Sequence, residues 1–160
     1  MPIPKETLEL ENRNIGVDGE PTLFAAYTIL KQLWDEGDRD RELALHLMFL
    51  AWFGMTEPEH ITGFPKFNYM DPGLQTVFSQ VHNYYVPTIH GDPEMMFVIG
   101  LIANMYGHSF DNPGKWEKIA NDYQRRYRTF YRYGIDPAIF AGRGAYGDYF
   151  AGQANVEGGY

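Results

Sequence analysis

Cysteine is absent from this 160-residue chain. That excludes disulfide scaffolds, thiolate zinc sites and cysteine nucleophiles together. Long apolar runs are also missing. The longest, 47–53 (LMFLAWF) and 95–99 (MMFVI), fall far short of the roughly 20 residues a membrane helix needs. The stretch 1–21 has no apolar core of signal-peptide length, so a soluble, cytoplasmic protein with no membrane partner is expected. Positive charge is scarce, with 13 Lys and Arg against 21 Asp and Glu and a net charge of −8. General nucleic-acid binding needs a basic footprint and is not expected. No segment alternates cleanly with period two, which removes the strand signal. No two histidines stand four residues apart. Glu57 and His60 give the Glu-x-x-His spacing once, whereas a metal site in a helical bundle needs it on two facing helices. No metal and no cofactor are therefore expected.

What the chain does have is helix punctuation. Six of its ten prolines follow an acidic residue or Asn: Glu20-Pro21, Glu57-Pro58, Asp71-Pro72, Asp92-Pro93, Asn112-Pro113 and Asp136-Pro137. Asp or Asn accepts hydrogen bonds from the free amides of a first helical turn. Proline next to it has its φ preset and lacks an amide that would go unpaired there. The segments behind these marks carry helical periodicity. Leu23, Tyr27, Leu30 and Trp34 share a face, joined by Ala26 and Leu33. Residues 43–53 are apolar except His46, the pattern of a helix buried all round. Leu74, Val77, Phe78, Val81 and Tyr85 form a stripe, and a nearly unbroken apolar run starts at Met95. Trp116, Ile119, Ala120, Tyr123, Tyr127 and Phe130 line one side of a segment reaching about residue 133. The fold class is all-α, with about six helices.

The stretches 19–34 (GEPTLFAAYTILKQLW) and 91–106 (GDPEMMFVIGLIANMY) align without gaps, and the helices that follow both end near a glycine, Gly54 and Gly134. Glycine there fits a left-handed helix stop. The expected organisation is a single domain: an extended arm over 1–19, one helical hairpin over 20–54 and a connector with one helix over 55–91. A related hairpin over 92–134 follows, then a short helix and a Gly/Tyr-rich tail over 135–160. Paired hairpins of this kind point to solenoid-like packing.

The stretch 33–52 (LWDEGDRDRELALHLMFLAW) has Trp34 ending one helix, a Gly37-Asp38 turn, and Ala44 and Ala51 spaced along the next. GLIANMYG and WEKIANDY put Tyr106 and Ala120 in matching places. Over about half the chain this resembles the tetratricopeptide type of α-hairpin repeat. The resemblance implies a partner-binding scaffold and carries no catalytic residue with it.

Charge is unevenly spread. Residues 1–114 hold 6 basic and 16 acidic residues, whereas 115–160 hold 7 basic and 5 acidic. Lys118, Arg125, Arg128 and Arg132 fall on or near one stripe of the basic helix, beside tyrosines, a common interface composition. In the tail, Tyr146, Tyr149 and Phe150 are candidate anchors for a partner or a second copy. Six glycines in the last 19 residues work against a stable helix there. Gly142–Gly147 (GRGAYG) fits G-x-G-x-x-G, but no strand–helix unit surrounds it and no catalytic Lys or metal-binding Asp motif accompanies it. His46, lone and polar in an apolar helix, needs a hydrogen-bond partner if buried.

Two functional expectations follow. The first is a non-enzymatic interaction or scaffold protein that binds a protein partner or itself. The second is a small-molecule-binding domain or enzyme with a pocket lined by His82, Tyr84, Tyr85, His90 and His108. No catalytic spacing is recognisable in either case.

Overall fold

The computed structural model describes residues 3–14, 21–65 and 72–155, and within them the protein is all-helical. Eight α-helices occur among the described residues: α1 Lys5–Asn14, α2 Leu23–Asp35, α3 Arg41–Thr56, α4 Glu59–Thr62, α5 Pro72–Tyr85, α6 Pro93–Tyr106, α7 Pro113–Tyr127 and α8 Gly144–Ala154. Tighter 3-10 segments cover Val86–Gly91, Gly107–Ser109 and Pro137–Phe140. The sequence reading expected about six helices. The chain divides into two compact units, Met1–His82 with Gly142–Tyr146, and Asn83–Ala141 with Gly147–Tyr160.

In the first unit, α1 packs on α2 and α2 on α3. The expected extended arm is therefore helix α1. Its buried face is Thr7, Leu10 and Glu11, spaced as neighbours on one side of a helix. Two of those three are polar, so no apolar stripe marks the helix in the sequence. Helix α2 buries Leu23, Ala26, Tyr27, Leu30 and Trp34, the expected face apart from a half-buried Leu33. It is capped by Thr22, whose side chain makes no cap bond and instead donates to the Leu10 carbonyl. Glu20, the expected cap, lies outside the described residues, as does Asp71. Asp40 caps α3 by accepting from the Glu42 and Leu43 amides at 2.9 and 3.3 Å. Every residue from Leu43 to Trp52 is buried, as a helix apolar all round requires.

Gly54 does not stop α3, which continues to Thr56. The glycine serves a close approach instead: a Cβ there would sit 2.6 Å from the Phe64 ring.

In the second unit, α6 packs on α7. Asp92 caps α6 as expected, accepting from the Met95 amide at 3.0 Å with Pro93 in the first turn. Residues Glu94 to Ala103 are buried without interruption. Gly107 lets Trp116 come close, since a Cβ there would meet the Trp116 Cβ at 2.9 Å. Helix α7 buries Trp116, Ala120, Tyr123 and Tyr127 but ends at Tyr127, short of the expected residue 133. The Thr129 hydroxyl donates to the Arg126 carbonyl at 2.8 Å, a local bond that competes with helix continuation. Gly134 at φ +100° then turns the chain so that Ile135 is buried.

Residues 144–154, read from sequence as part of an irregular tail, form α8. Glycine weakens a helix by about 1 kcal/mol per residue relative to alanine. Tertiary contact overrides that penalty, because Tyr146 and Phe150 are both fully buried. In the second unit Phe150 meets Phe97 and Phe140 at ring-centroid distances of 6.4 and 6.1 Å. Among the described residues, no helix is long and apolar enough to cross a membrane.

Candidate functional site

Two features carry chemistry. The first lies inside the first unit, where the apolar helix α3 holds one histidine. His46 is fully buried, and both of its ring nitrogens face carboxylates. Nδ1 lies 2.6 Å from Glu11 Oε2 and Nε2 lies 3.0 Å from Glu42 Oε1. Glu42 stands one turn before His46 on α3, and Glu11 comes from α1. Arg143 closes the far side, donating from Nε to Glu42 Oε1 at 2.8 Å and from Nη2 to Oε2 at 2.6 Å. That bidentate fork is the strong form of the Arg–carboxylate pair. Glu11 Oε1 also accepts from the Tyr146 backbone amide at 3.2 Å. A carboxylate from α1 thus caps the start of α8, where the helix dipole favours negative charge. The Tyr146 ring lies 4.8 Å from the imidazole and the Arg143 guanidinium 5.1 Å from that ring.

GRGAYG makes this geometry possible. Gly142 and Gly144 sit at φ +72° and +69°, a region where side chains are strained. A Cβ on Gly144 would lie 2.7 Å from Glu11 Oε1. The glycines bring the α8 start onto Glu11 and aim Arg143 at Glu42; no phosphate-cradling role is needed to explain them.

Electrostatics follow from the contacts. Burial pushes the Glu42 carboxyl up, but hydrogen bonds and charge from His46 and Arg143 outweigh it and hold the group down to about 2. Burial pushes the His46 imidazole down, but Glu11 and Glu42 outweigh that and raise it above its ordinary value. Both ring nitrogens are committed to carboxylates, so neither is left for a metal ion. Among the described residues no group of three or more His, Cys, Asp or Glu is arranged to hold one.

The second feature is a basic, aromatic surface in the second unit. Lys118, Arg125, Arg128 and Arg132 are all exposed, but α7 carries only the first two within its length; Arg128 caps it and Arg132 lies beyond it. They do not form one helical stripe, because the helix ends at Tyr127. Arg125 is tied to Asp122 at 2.9 Å, and Arg126 reaches the same carboxylate at 2.7 Å. Burial pushes the Asp122 carboxyl up, and Arg126, Arg125 and His90 more than reverse that and hold it low. Phe130, expected on the buried side, is 53% exposed, and Tyr133 is 90% exposed. The Arg132 guanidinium lies 5.5 Å from the Tyr133 ring centre.

Tyr146 and Phe150 are not partner anchors as expected from sequence, because both are buried in the protein's own core. Tyr149 is half-buried. The five residues expected around a pocket are scattered in exposure. His82 is buried on α5, Tyr85 is half-buried, and Tyr84, His90 and His108 are open to solvent. His90 instead pairs with Asp122 at 3.2 Å and stands edge-on to Tyr123.

His46 was legible as a polar group in need of a partner. Glu42, four residues before it, was a readable signal that the sequence reading passed over. Glu11 and Arg143 had none, lying 35 residues from His46 and 101 residues from Glu42. Phe130 and Tyr133 were missed as surface groups because α7 was extended past them. Compared with known protein families, curated proteins and solved structures, the chain matches none.

Proposed function

We propose that this is a non-enzymatic protein-interaction module whose docking surface is the segment from Arg125 to Tyr133, and whose partner is an acidic stretch of another protein. The observation that carries the reading is the pairing of exposed aromatics with exposed cations. Phe130 at 53% and Tyr133 at 90% exposure stand among Arg128 and Arg132. Aromatic residues and Arg are the types enriched where protein partners meet. An acidic partner fits the local charge, and a nucleic acid fits poorly, since the chain carries a net charge of −8. A cytoplasmic setting belongs to the same proposal.

The α2–α3 and α6–α7 pairs support a duplicated hairpin as the origin of the scaffold, in keeping with the tetratricopeptide-like spacing. Their starts differ in detail, one capped by Thr22 and the other by Asp92 and Pro93.

The test is a triple variant, Arg128→Glu, Arg132→Glu and Tyr133→Ser, in co-purification and in titration of a labelled Glu/Asp-rich peptide at two salt concentrations. The expected result is peptide binding by the native protein that weakens with salt and is lost in the variant. Equal binding by both proteins overturns the proposal. Sizing of both proteins identifies a second copy as the partner if only the native protein self-associates.

A further inference from the structure

The proposed docking segment calls for an acidic partner, and the chain exposes an acidic stretch of its own. The turn between α2 and α3, residues 35–38 (DEGD), is exposed at every position. Among the described residues nothing lies within 4 Å of where a Cβ on Gly37 would stand, so the tip of the turn is uncovered. Asp35 is paired with Lys31 at 2.6 Å. Glu36 accepts from the Gln32 side-chain amide at 3.0 Å, and Asp38 from the Asp40 backbone amide at 2.9 Å. Arg39, the cation next to them, is folded away. Its guanidinium lies 3.8 Å from the Trp34 ring centre and donates to the Trp34 and Asp38 carbonyls at 2.6 and 2.9 Å. Among the described residues, then, no cation is bonded to the carboxylates of Glu36 and Asp38.

The docking segment has the opposite sign and a similar lack. Arg125 and Arg126 are already tied to Asp122. Arg132 lies against the Tyr133 ring and is bonded to no carboxylate among the described residues. Arg128 lies against the Tyr127 ring at 5.5 Å. A guanidinium and a carboxylate suit each other in geometry as well as in charge. Tyr133 and Phe130, exposed beside these arginines, offer apolar area to cover such a pair. The net charge of −8 makes two copies repel at a distance. At physiological salt that repulsion is largely screened beyond about 8 Å. Contact is then decided by which local surfaces meet.

We propose that the partner of residues 125–133 is a second copy of this chain, docking through its acidic turn 35–38. The proposal rests on the docking reading above and names its partner. Arg128 and Arg132 of one molecule take the Glu36 and Asp38 carboxylates of the next, and Phe130 and Tyr133 shield them from water. The turn and the basic segment are different surfaces, so the copies meet head to tail and not like on like. Exposed ion pairs are individually weak. The association is therefore transient, salt-sensitive and visible at protein concentrations of about 1 mM.

The test is sedimentation of the native protein and two variants over a range of concentration and salt. One variant reverses the turn, Glu36→Lys with Asp38→Lys. The other reverses the segment, Arg128→Glu with Arg132→Glu. The native protein should gain mass with concentration at low salt and lose the gain at high salt. Each variant alone should stay monomeric. Their equimolar mixture should associate again, because the unaltered segment of the first meets the unaltered turn of the second. That recovery also shows both variants to be folded. Association that survives either reversal, or a mixture of folded variants that stays monomeric, overturns the pairing. A native protein that stays monomeric throughout but binds a Glu/Asp-rich peptide overturns the second copy and leaves the docking surface standing. A native protein that does neither overturns both.

Discussion

The two units hold the last helix by different physics. In the first, the start of α8 is fixed by charge, through Glu11, Glu42 and Arg143 around a buried imidazole. In the second, Phe150 is fixed by rings, against Phe97 and Phe140. Ring packing is non-directional and indifferent to pH. A buried ionic cluster is directional, and removing one member leaves the others desolvated without a counter-charge. The same short helix therefore has one stretch that responds to protons and another that responds only to shape.

The sharpest way to break this contrast is at Phe97, which also meets Tyr127 at 5.4 Å. Phe97→Ala should destabilise by roughly 4 kcal/mol through a cavity, by the same amount at pH 5 and pH 8 in urea denaturation. Glu11→Ala should cost about 3 kcal/mol by stranding the imidazolium and the Tyr146 amide. Unlike Phe97→Ala, it should shrink the loss of stability as pH rises above about 6.5, because Glu42 alone then holds the His46 proton. Equal pH dependence in the two variants would erase the distinction.

A smaller effect is expected in acid. Because Glu42 is held down to about 2 when folded, against 4.5 ordinarily, its contribution is full above 4.5 and disappears as pH falls through about 2. Its side chain is partly exposed, so the contribution is about 1–2 kcal/mol after solvent screening. Glu42→Gln should flatten that limb of the acid unfolding curve. The smallest effect belongs to the surface. Arg132→Glu with Tyr133→Ser should change stability by less than about 0.5 kcal/mol while removing binding of an acidic peptide.

Legibility in the sequence divides along the same line. Apolar periodicity exposed α2, α3, α5, α6 and most of α7, because their buried faces are built from apolar letters. It missed α1, whose buried face is Thr7, Leu10 and Glu11. It also missed α8, where glycines argue against helix and only distant contacts argue for it. Helix caps were readable where Asp precedes Pro, as at Asp92 and at Asp136, whose side chain accepts from the Ala138 amide at 2.9 Å. Gly54 and Gly134 look alike in sequence yet serve a ring contact and a left-handed turn respectively. A single letter does not separate those uses. The ionic cluster was half visible, as Glu42 and His46 at helical spacing, and Arg143 lay within a glycine pattern better known for phosphates.

The separation of the cluster's members along the chain bears on how the protein is made. Arg143 meets Glu42 across 101 residues and Tyr146 meets Glu11 across 135. Synthesis runs from the N-terminus, so α1 and α3 leave the ribosome long before the groups that complete them. Until Arg143 emerges, His46 has two carboxylates and the second has no guanidinium to neutralise it. A chain halted before that point carries every apolar residue of α3 and an interior of the wrong charge. Closure of the cluster therefore waits until Arg143 and Tyr146 are free to fold back onto α3 and α1.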